Sequence, residues 1–84
     1  MKTSAVTVTT TATLLIASDN LPRVCYLHSD SGSVYIGGSD VTSATGIHLL
    51  NGTTMEILVP FNETIYGITA SATHTIRVLT PSVD

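Results

Sequence analysis

Hydrophobic and polar residues alternate along most of this chain with a period of two, which is the period of a β-strand that buries one face. The β-branched residues Val, Ile and Thr, which favour strands, dominate the same segments. The alternation predicts short strands at 6–9, 12–17, 23–29, 33–36, 47–50, 54–59, 64–70 and 73–80, with 47–50 the least regular. The sequence therefore indicates an all-β protein.

Turn-forming residues separate these predicted strands. The tight turn Asp30-Ser31-Gly32 is expected to join the third and fourth strands in a hairpin, and Asn51-Gly52 is a strong two-residue turn signal. The polar segment 41–46 has little periodicity and is predicted to be a loop. In the second strand the alternation places Ala12, Leu14 and Ile16 on one face.

Seven or eight short strands at intervals of about ten residues are typical of a small antiparallel β-sandwich or barrel, here jelly-roll-like. The chain has 84 residues, which is enough for one domain. We expect a single β domain over 1–84, whose last residues, 81–84, form a short tail that Pro81 releases from the last strand.

The N-terminal segment 1–10 is a candidate for an arm that exchanges between subunits. Edge strands tend to pair with other chains unless charges or proline protect them, and the stretch from Ser4 to Thr11 carries no charge. The candidate interface positions are Ser4, Val6, Val8 and Thr10.

The charge content is low and excludes several classes of partner. Charged residues make up 11% of the chain, against roughly 25% in typical soluble domains. Three basic residues cannot form the patch that nucleic-acid phosphates require. No apolar stretch approaches the roughly 20 residues of a membrane-spanning helix, so no membrane partner is expected.

Small domains often gain stability from a disulfide, a metal or a partner chain. The chain has one cysteine, so an intrachain disulfide is not possible, and no paired Cys or Cys/His metal spacing occurs. Self-association, or docking on a larger body, is therefore the favoured source of additional stability.

Candidate groups for catalysis or metal binding are few and separated. The three histidines, His28, His48 and His74, lie in different predicted strands without short ligand spacing, so we expect no metal site. Cys25 and His28 differ by three positions and therefore lie on opposite faces of one strand. We predict a non-enzymatic protein with no cofactor and a buried Cys25 thiol.

The aromatic residues are also few. Tyr26, Tyr35, Phe61 and Tyr66 are scattered along the chain, whereas a carbohydrate or single-stranded nucleic-acid platform needs an exposed cluster. We expect these rings to pack in the core, with hydroxyl groups reaching partners at its rim.

A longer pattern resembles a known group of proteins. The stretch 23–29 is followed by Val34-Tyr35-Ile36-Gly37-Gly38-Ser39-Asp40-Val41-Thr42 and later by Gly46, giving the segment VYIGG-x-x-VT-x-x-x-G. Together with 65–68 (IYGI) and 76–79 (IRVL), this resembles small virion proteins of tailed bacteriophages, over roughly residues 12–80. Within the segment, the candidate structural loop positions are Gly37, Gly38, Asp40, Thr42 and Gly46, where glycine allows unusual backbone and Asp40 and Thr42 are expected to cap backbone N–H groups.

The resemblance implies a virion structural protein of the capsid decoration or cement type. The implied partner is the major capsid protein, the implied oligomer is a homo-oligomer with a trimer favoured, and the implied location is the capsid surface after synthesis in the host cytoplasm. A low-copy tail, baseplate or fibre component is the first alternative. A host-surface or glycan-binding module is the second.

Overall fold

A computed structural model describes residues 2–30 and 32–81, and these residues form eight β-strands and no helix. The strands are β1 (Lys2–Val8), β2 (Thr13–Ile16), β3 (Arg23–Ser29), β4 (Val34–Gly37), β5 (Ile47–Leu49), β6 (Thr54–Val59), β7 (Ile65–Ile68) and β8 (His74–Thr80). The all-β prediction is confirmed, and 23–29 and 54–59 match β3 and β6 residue for residue. Residues 82–84 of the predicted tail lie outside the described residues.

The strands form two four-stranded sheets. Sheet A has the order β1-β8-β3-β6 and sheet B the order β2-β7-β4-β5. Every pairing is antiparallel, and each strand pairs with the one that mirrors it in the chain: β1 with β8, β2 with β7, β3 with β6 and β4 with β5. This is the pattern of a long hairpin wrapped into two sheets, and it confirms the jelly-roll prediction.

The predicted hairpin between the third and fourth strands is wrong. β3 pairs with β6 and β8 in sheet A, whereas β4 pairs with β5 and β7 in sheet B. The turn after Asp30 therefore carries the chain from one sheet to the other. Turn residues specify a chain reversal, but the partner of each strand depends on the long-range wrapping of the chain. Gly32 is needed at this crossing because its backbone passes against the imidazole ring of His74.

The core between the sheets is aliphatic. It consists of Val8, Leu15, Ile16, Cys25, Leu27, Val34, Ile36, Leu49, Val59, Ile76 and Val78. The predicted packing of aromatic rings in this core is wrong, because all four rings lie outside it. Three of the rings, those of Tyr26, Tyr35 and Tyr66, stand at alternate strand positions that face away from the core. Within sheet B, the missing side chain of Gly67 leaves room for its inward neighbours, because a Cβ atom there would lie 2.9 Å from Leu15 Cδ1 and 3.2 Å from Val34 Cγ1.

The faces predicted for the second strand are corrected by a β-bulge. The pairing of β2 with β7 shifts register between Leu14 and Ile16. Leu14 is consequently 43% exposed, while Leu15 and Ile16 are both buried. A bulge inserts a residue that breaks strict alternation, so Leu14 and Ile16 do not share a face.

Candidate interaction surfaces

The two sheets differ sharply in charge. All three basic residues of the chain, Lys2, Arg23 and Arg77, lie in strands of sheet A, together with Glu56. The four strands of sheet B contain no Asp, Glu, Lys or Arg. The outer surface of sheet B is therefore the part of the strand framework that most resembles the core of a protein interface, where charged residues are depleted.

Five side chains form this outer surface, here named the uncharged face: Leu14, Tyr35, His48, Tyr66 and Ile68. The register places Leu14 opposite Tyr66, and Tyr35 between Ile68 and His48. The rings of Tyr35 and His48 stack, with centroids 4.7 Å apart and an interplanar angle of 14°. Tyr35, Tyr66 and Ile68 are half-buried already, and Leu14 and His48 are exposed.

Sequence reasoning missed this cluster because Tyr35 and Tyr66 are far apart in the chain. They become neighbours only when β4 pairs with β7, which sets Tyr66 opposite Gly37. One sequence signal could have identified the surface. The four strands of sheet B contain no charged residue, whereas each of the four strands of sheet A contains one.

The loop between β4 and β5, residues 38–46, is here named the glycine-rich loop. It packs against sheet B beside the uncharged face. Val41 is only 6% exposed, because Gly37 and Gly46 leave room for its side chain. A Cβ atom at Gly46 would lie 2.7 Å from Tyr35 Cβ and 2.8 Å from Val41 Cγ2. The loop prediction for 41–46 is confirmed, and the spacing of the VYIGG-x-x-VT-x-x-x-G segment now has a physical explanation. Its valine fills a site that its glycines create.

Two threonines fix the turn of this loop. Thr42 Oγ1 accepts hydrogen bonds from the backbone N–H groups of Ala44 and Thr45, at 3.3 and 3.2 Å. Thr45 Oγ1 accepts one from the Thr42 N–H at 3.1 Å, and the Gly46 N–H bonds to the Thr42 carbonyl at 2.9 Å. Thr42 therefore has the capping role expected for it. Asp40 and Gly38 lie on the exposed side of the same turn, where the Asp40 Oδ1 atom is 3.4 Å from the Cβ position of Gly38.

Away from Val24 and Leu58, the outer surface of sheet A carries polar groups that pair with one another. His28 Nδ1 lies 2.9 Å from Thr54 Oγ1, and Arg77 Nε donates to Asp30 Oδ2 at 3.1 Å. Tyr26 lies opposite Glu56, whose carboxylate accepts a hydrogen bond from the phenol and raises the pKa of Tyr26. Contacts of this kind pair these polar groups with one another within the chain.

One end of the molecule exposes large apolar side chains. Val24 and Leu58 lie opposite each other on β3 and β6 and are 42% and 63% exposed. Leu21 and Phe61 lie in the loops that adjoin these strands, and both are exposed. A backbone hydrogen bond of 2.9 Å from Asn62 N to Asp19 O ties the two loops together.

The candidate N-terminal interface lies on β1, which pairs with β8 from Lys2 to Val8. Ser4 is exposed, Val6 is half-buried, Val8 is part of the core, and Thr10 is exposed in the turn that follows. The structure therefore places this segment in its own sheet. Exchange of the strand between subunits stays a prediction.

The chemistry of the described residues is sparse. Cys25 is 0% exposed, and burial raises the pKa of its thiol, partly opposed by the positive charge of Arg23. Its neighbour His28 faces outward towards Thr54. Among residues 2–30 and 32–81, no group of three or more His, Cys, Asp or Glu side chains is arranged to hold a metal ion. The same residues contain no helix long and apolar enough to span a membrane.

No family model and no curated protein matches this chain. Its fold is similar to that of a chain in a solved structure described by the words "Bacillus endospore appendages form a novel family of disulfide-linked pili". The two share 20% sequence identity at a TM-score of 0.64, over 99% of this chain and 85% of that chain. At this identity the likeness shows a common β fold.

Proposed function

We propose that this chain is a non-enzymatic structural subunit that decorates and stabilises the outer surface of a tailed-phage capsid. The observation that carries the proposal is the uncharged face of Leu14, Tyr35, His48, Tyr66 and Ile68. Its partners are the major capsid protein and further copies of itself, with a trimer as the favoured oligomer. The subunit is made in the host cytoplasm and ends on the virion.

The physical reason is that a charge-free sheet surface loses little when it is removed from water. Tyrosine is enriched in interface cores because its ring is apolar while its hydroxyl can still bond a partner. Leu14 is 43% exposed in the isolated subunit, so a contacting protein can cover further apolar area. A subunit that binds only the assembled shell stabilises that shell by mass action.

Two likenesses support an assembly role. The VYIGG-x-x-VT-x-x-x-G segment resembles small virion proteins, and the similar solved structure belongs to a protein that forms pili. That protein's pili are disulfide-linked. In this chain the single cysteine is enclosed in the core, so we propose that its assembly is non-covalent.

The copy number of the chain in purified particles tests the proposal. Quantitative mass spectrometry against the major capsid protein measures it directly. A ratio near one per capsid subunit, or near a simple fraction of it, is expected for surface decoration. A handful of copies moves the chain to the tail, baseplate or fibre, and complete absence from particles overturns the virion role.

A glycan-binding role is the second candidate, because the structure brings Tyr35 and Tyr66 onto one surface beside the imidazole of His48. Aromatic rings on an uncharged surface can stack against the apolar faces of sugars. A glycan array separates this candidate from the first. Signal that is lost in both Tyr35→Ser and Tyr66→Ser, and kept in Tyr26→Ser on sheet A, favours glycan binding. No signal from the intact chain excludes it.

A further inference from the structure

Sheet A ends on both sides in a long edge strand. In the described part of the chain, β1 pairs only with β8 and β6 only with β3. β1 has seven residues and β6 has six. Edge strands of this length present rows of backbone N–H and C=O groups that another chain can pair with.

The directions of these two edges are complementary. All neighbours in sheet A are antiparallel, so β1 and β3 run one way and β8 and β6 run the other. A second copy that is displaced sideways across the sheet therefore presents its β1 antiparallel to the β6 of the first copy. No rotation of the copy is needed, and the result is a continuous antiparallel sheet.

The side chains also match in this arrangement. Thr3, on the outer surface of β1, lies opposite Leu79, and Leu58 lies on the outer surface of β6 opposite Val24. Two registers pair all six residues of β6 with β1, and the one that keeps outward residues opposite outward residues sets Thr3 of one copy opposite Leu58 of the next. In an antiparallel ladder opposed residues share a face, so outward residues then meet outward residues throughout.

This register covers the most exposed large apolar side chain of the described residues. Leu58 is 63% exposed, and its cross-strand neighbour would come from the β1 of the next copy. The only charged residues of the two edges are Lys2 on β1 and Glu56 on β6, which have opposite signs. Like-charge repulsion, a common protection of edge strands, is therefore absent from this pairing.

Sheet B offers a poorer pair of edges. β5 has three residues, and β2 has four and is interrupted by the register shift between Leu14 and Ile16. A short or bulged edge resists pairing with another chain. The two sheets therefore differ in role: sheet B has the uncharged outer face, and sheet A has the edges that can be extended.

We infer that copies of this chain associate side by side, with β1 of one copy adding to β6 of the next. This inference rests on the proposed assembly role and specifies its contact between copies. The contact joins different patches on each copy, so it repeats into a row or closes into a ring. It differs from exchange of an N-terminal arm, because β1 keeps its pairing with β8 of its own chain.

Disulfide trapping tests this pairing. The double variant Thr3→Cys/Leu58→Cys, oxidised with diamide in concentrated solution, is expected to give a ladder of dimers, trimers and higher multimers on non-reducing gels. A disulfide within one chain cannot form, because three strand spacings, roughly 14 Å, separate the two edges. Cysteine Cα atoms must lie within about 7 Å. Both positions are exposed, and the native Cys25 is buried, so it does not compete.

The matched control is Thr3→Cys/Thr54→Cys, which keeps one cysteine on each edge but moves the second by four residues along β6. That shift is roughly 13 Å, so the control is expected to stay monomeric on the gel. The inference is overturned if the two double variants cross-link equally, or if Thr3→Cys/Leu58→Cys gives no ladder. Dimers from either single variant in comparable yield would indicate like-to-like edge pairing and also overturn it. The copy number in particles decides the proposed function independently of these outcomes.

Discussion

The Cγ2 atom of Val41 lies 2.8 Å from the position that a Cβ atom would occupy at Gly37, and its Cβ atom lies 3.0 Å from that position. A separation of 2.8 Å is essentially never seen for a real Cβ atom, so a side chain at residue 37 would force Val41 to shift. The relationship ties the last residue of β4 to the loop that follows it. It explains why the loop can fold back on sheet B.

The first prediction is that Gly37→Ala destabilises the fold by about 1–3 kcal/mol, the usual cost of adding a methyl group to a packed site. Gly38→Ala is the matched control, because its Cβ atom meets only Asp40 Oδ1 at 3.4 Å, and we expect a change within about 0.5 kcal/mol. Urea denaturation measures both. The free energy of unfolding of the double variant Gly37→Ala/Val41→Ala should fall by less than the sum of the two single changes. Strict additivity would contradict the contact.

The second prediction concerns Arg23, whose Nη2 atom donates a hydrogen bond of 2.8 Å to the carbonyl of Ala17. The side chain thereby fastens the loop between β2 and β3 to the end of the core. Arg23→Met keeps most of the aliphatic stem and removes the hydrogen bond to Ala17. We therefore expect the free energy of unfolding to fall by about 1–2 kcal/mol. Met also removes the buried Nε atom, which has no partner among the described residues, and this limits the loss.

Arg77→Met is the control for that change. Arg77 forms an ion pair with Asp30, but the two side chains are 59% and 37% exposed. Exposed pairs contribute at most about 1 kcal/mol. A thermal denaturation midpoint that falls more for Arg77→Met than for Arg23→Met would show that the Ala17 contact does not stabilise the loop.

The fold class and the strand positions could be predicted from the sequence because alternation is a local property. Tyr26 and His28 face outward and Cys25 and Leu27 inward, as the period of two requires. The hairpin after Asp30 could not be judged in this way. Whether β3 pairs with β4 or with β6 depends on how the whole chain wraps, and no local signal carries that information.

The candidate surfaces were predictable only in part. The importance of Gly37, Thr42 and Gly46 followed from a recognisable segment, but the residue that they accommodate, Val41, was seen only in the structure. The four aromatic residues were misplaced because burial was inferred from side-chain type. The alternation of the strands, which turns Tyr26, Tyr35 and Tyr66 away from the core, decided the position of these three rings instead.

The third prediction concerns the phenol of Tyr26. The hydrogen bond to Glu56, followed by the negative charge of that carboxylate, raises the pKa of Tyr26 above its ordinary value of 10.0. We expect Glu56→Gln to lower it towards that value, as measured by phenolate absorbance or by NMR of the ring. Glu63→Gln, in the loop after β6, is the control and should leave the titration unchanged.

The sign of the related pH dependence follows from the direction of the shift. A pKa that is higher in the folded state favours folding while the phenol is protonated. This contribution is fully present below pH 10.0 and is lost as the pH rises through the folded-state value. Glu56→Gln should therefore flatten the alkaline limb of the stability profile. An unchanged limb would show that Tyr26 does not donate to Glu56 in solution.

The last prediction separates the two sheet surfaces. Leu14 on sheet B and Val24 on sheet A are outward residues with nearly equal exposure, 43% and 42%. Replacing either with Lys costs the isolated fold little, because the ammonium group can reach water. If the uncharged face packs against the capsid, Leu14→Lys buries an unpaired charge there and should reduce binding to particles at least tenfold.

Val24→Lys adds the same charge to a surface that the proposed capsid contact leaves open, and its binding should stay within a factor of two or so of the unmodified chain. Co-sedimentation with particles that lack this protein measures both variants, and circular dichroism confirms that each is folded. Equal loss in both would indicate general charge repulsion rather than a specific surface. Loss in Val24→Lys alone would move the capsid contact from sheet B to the apolar end of sheet A, where Val24 and Leu58 face each other.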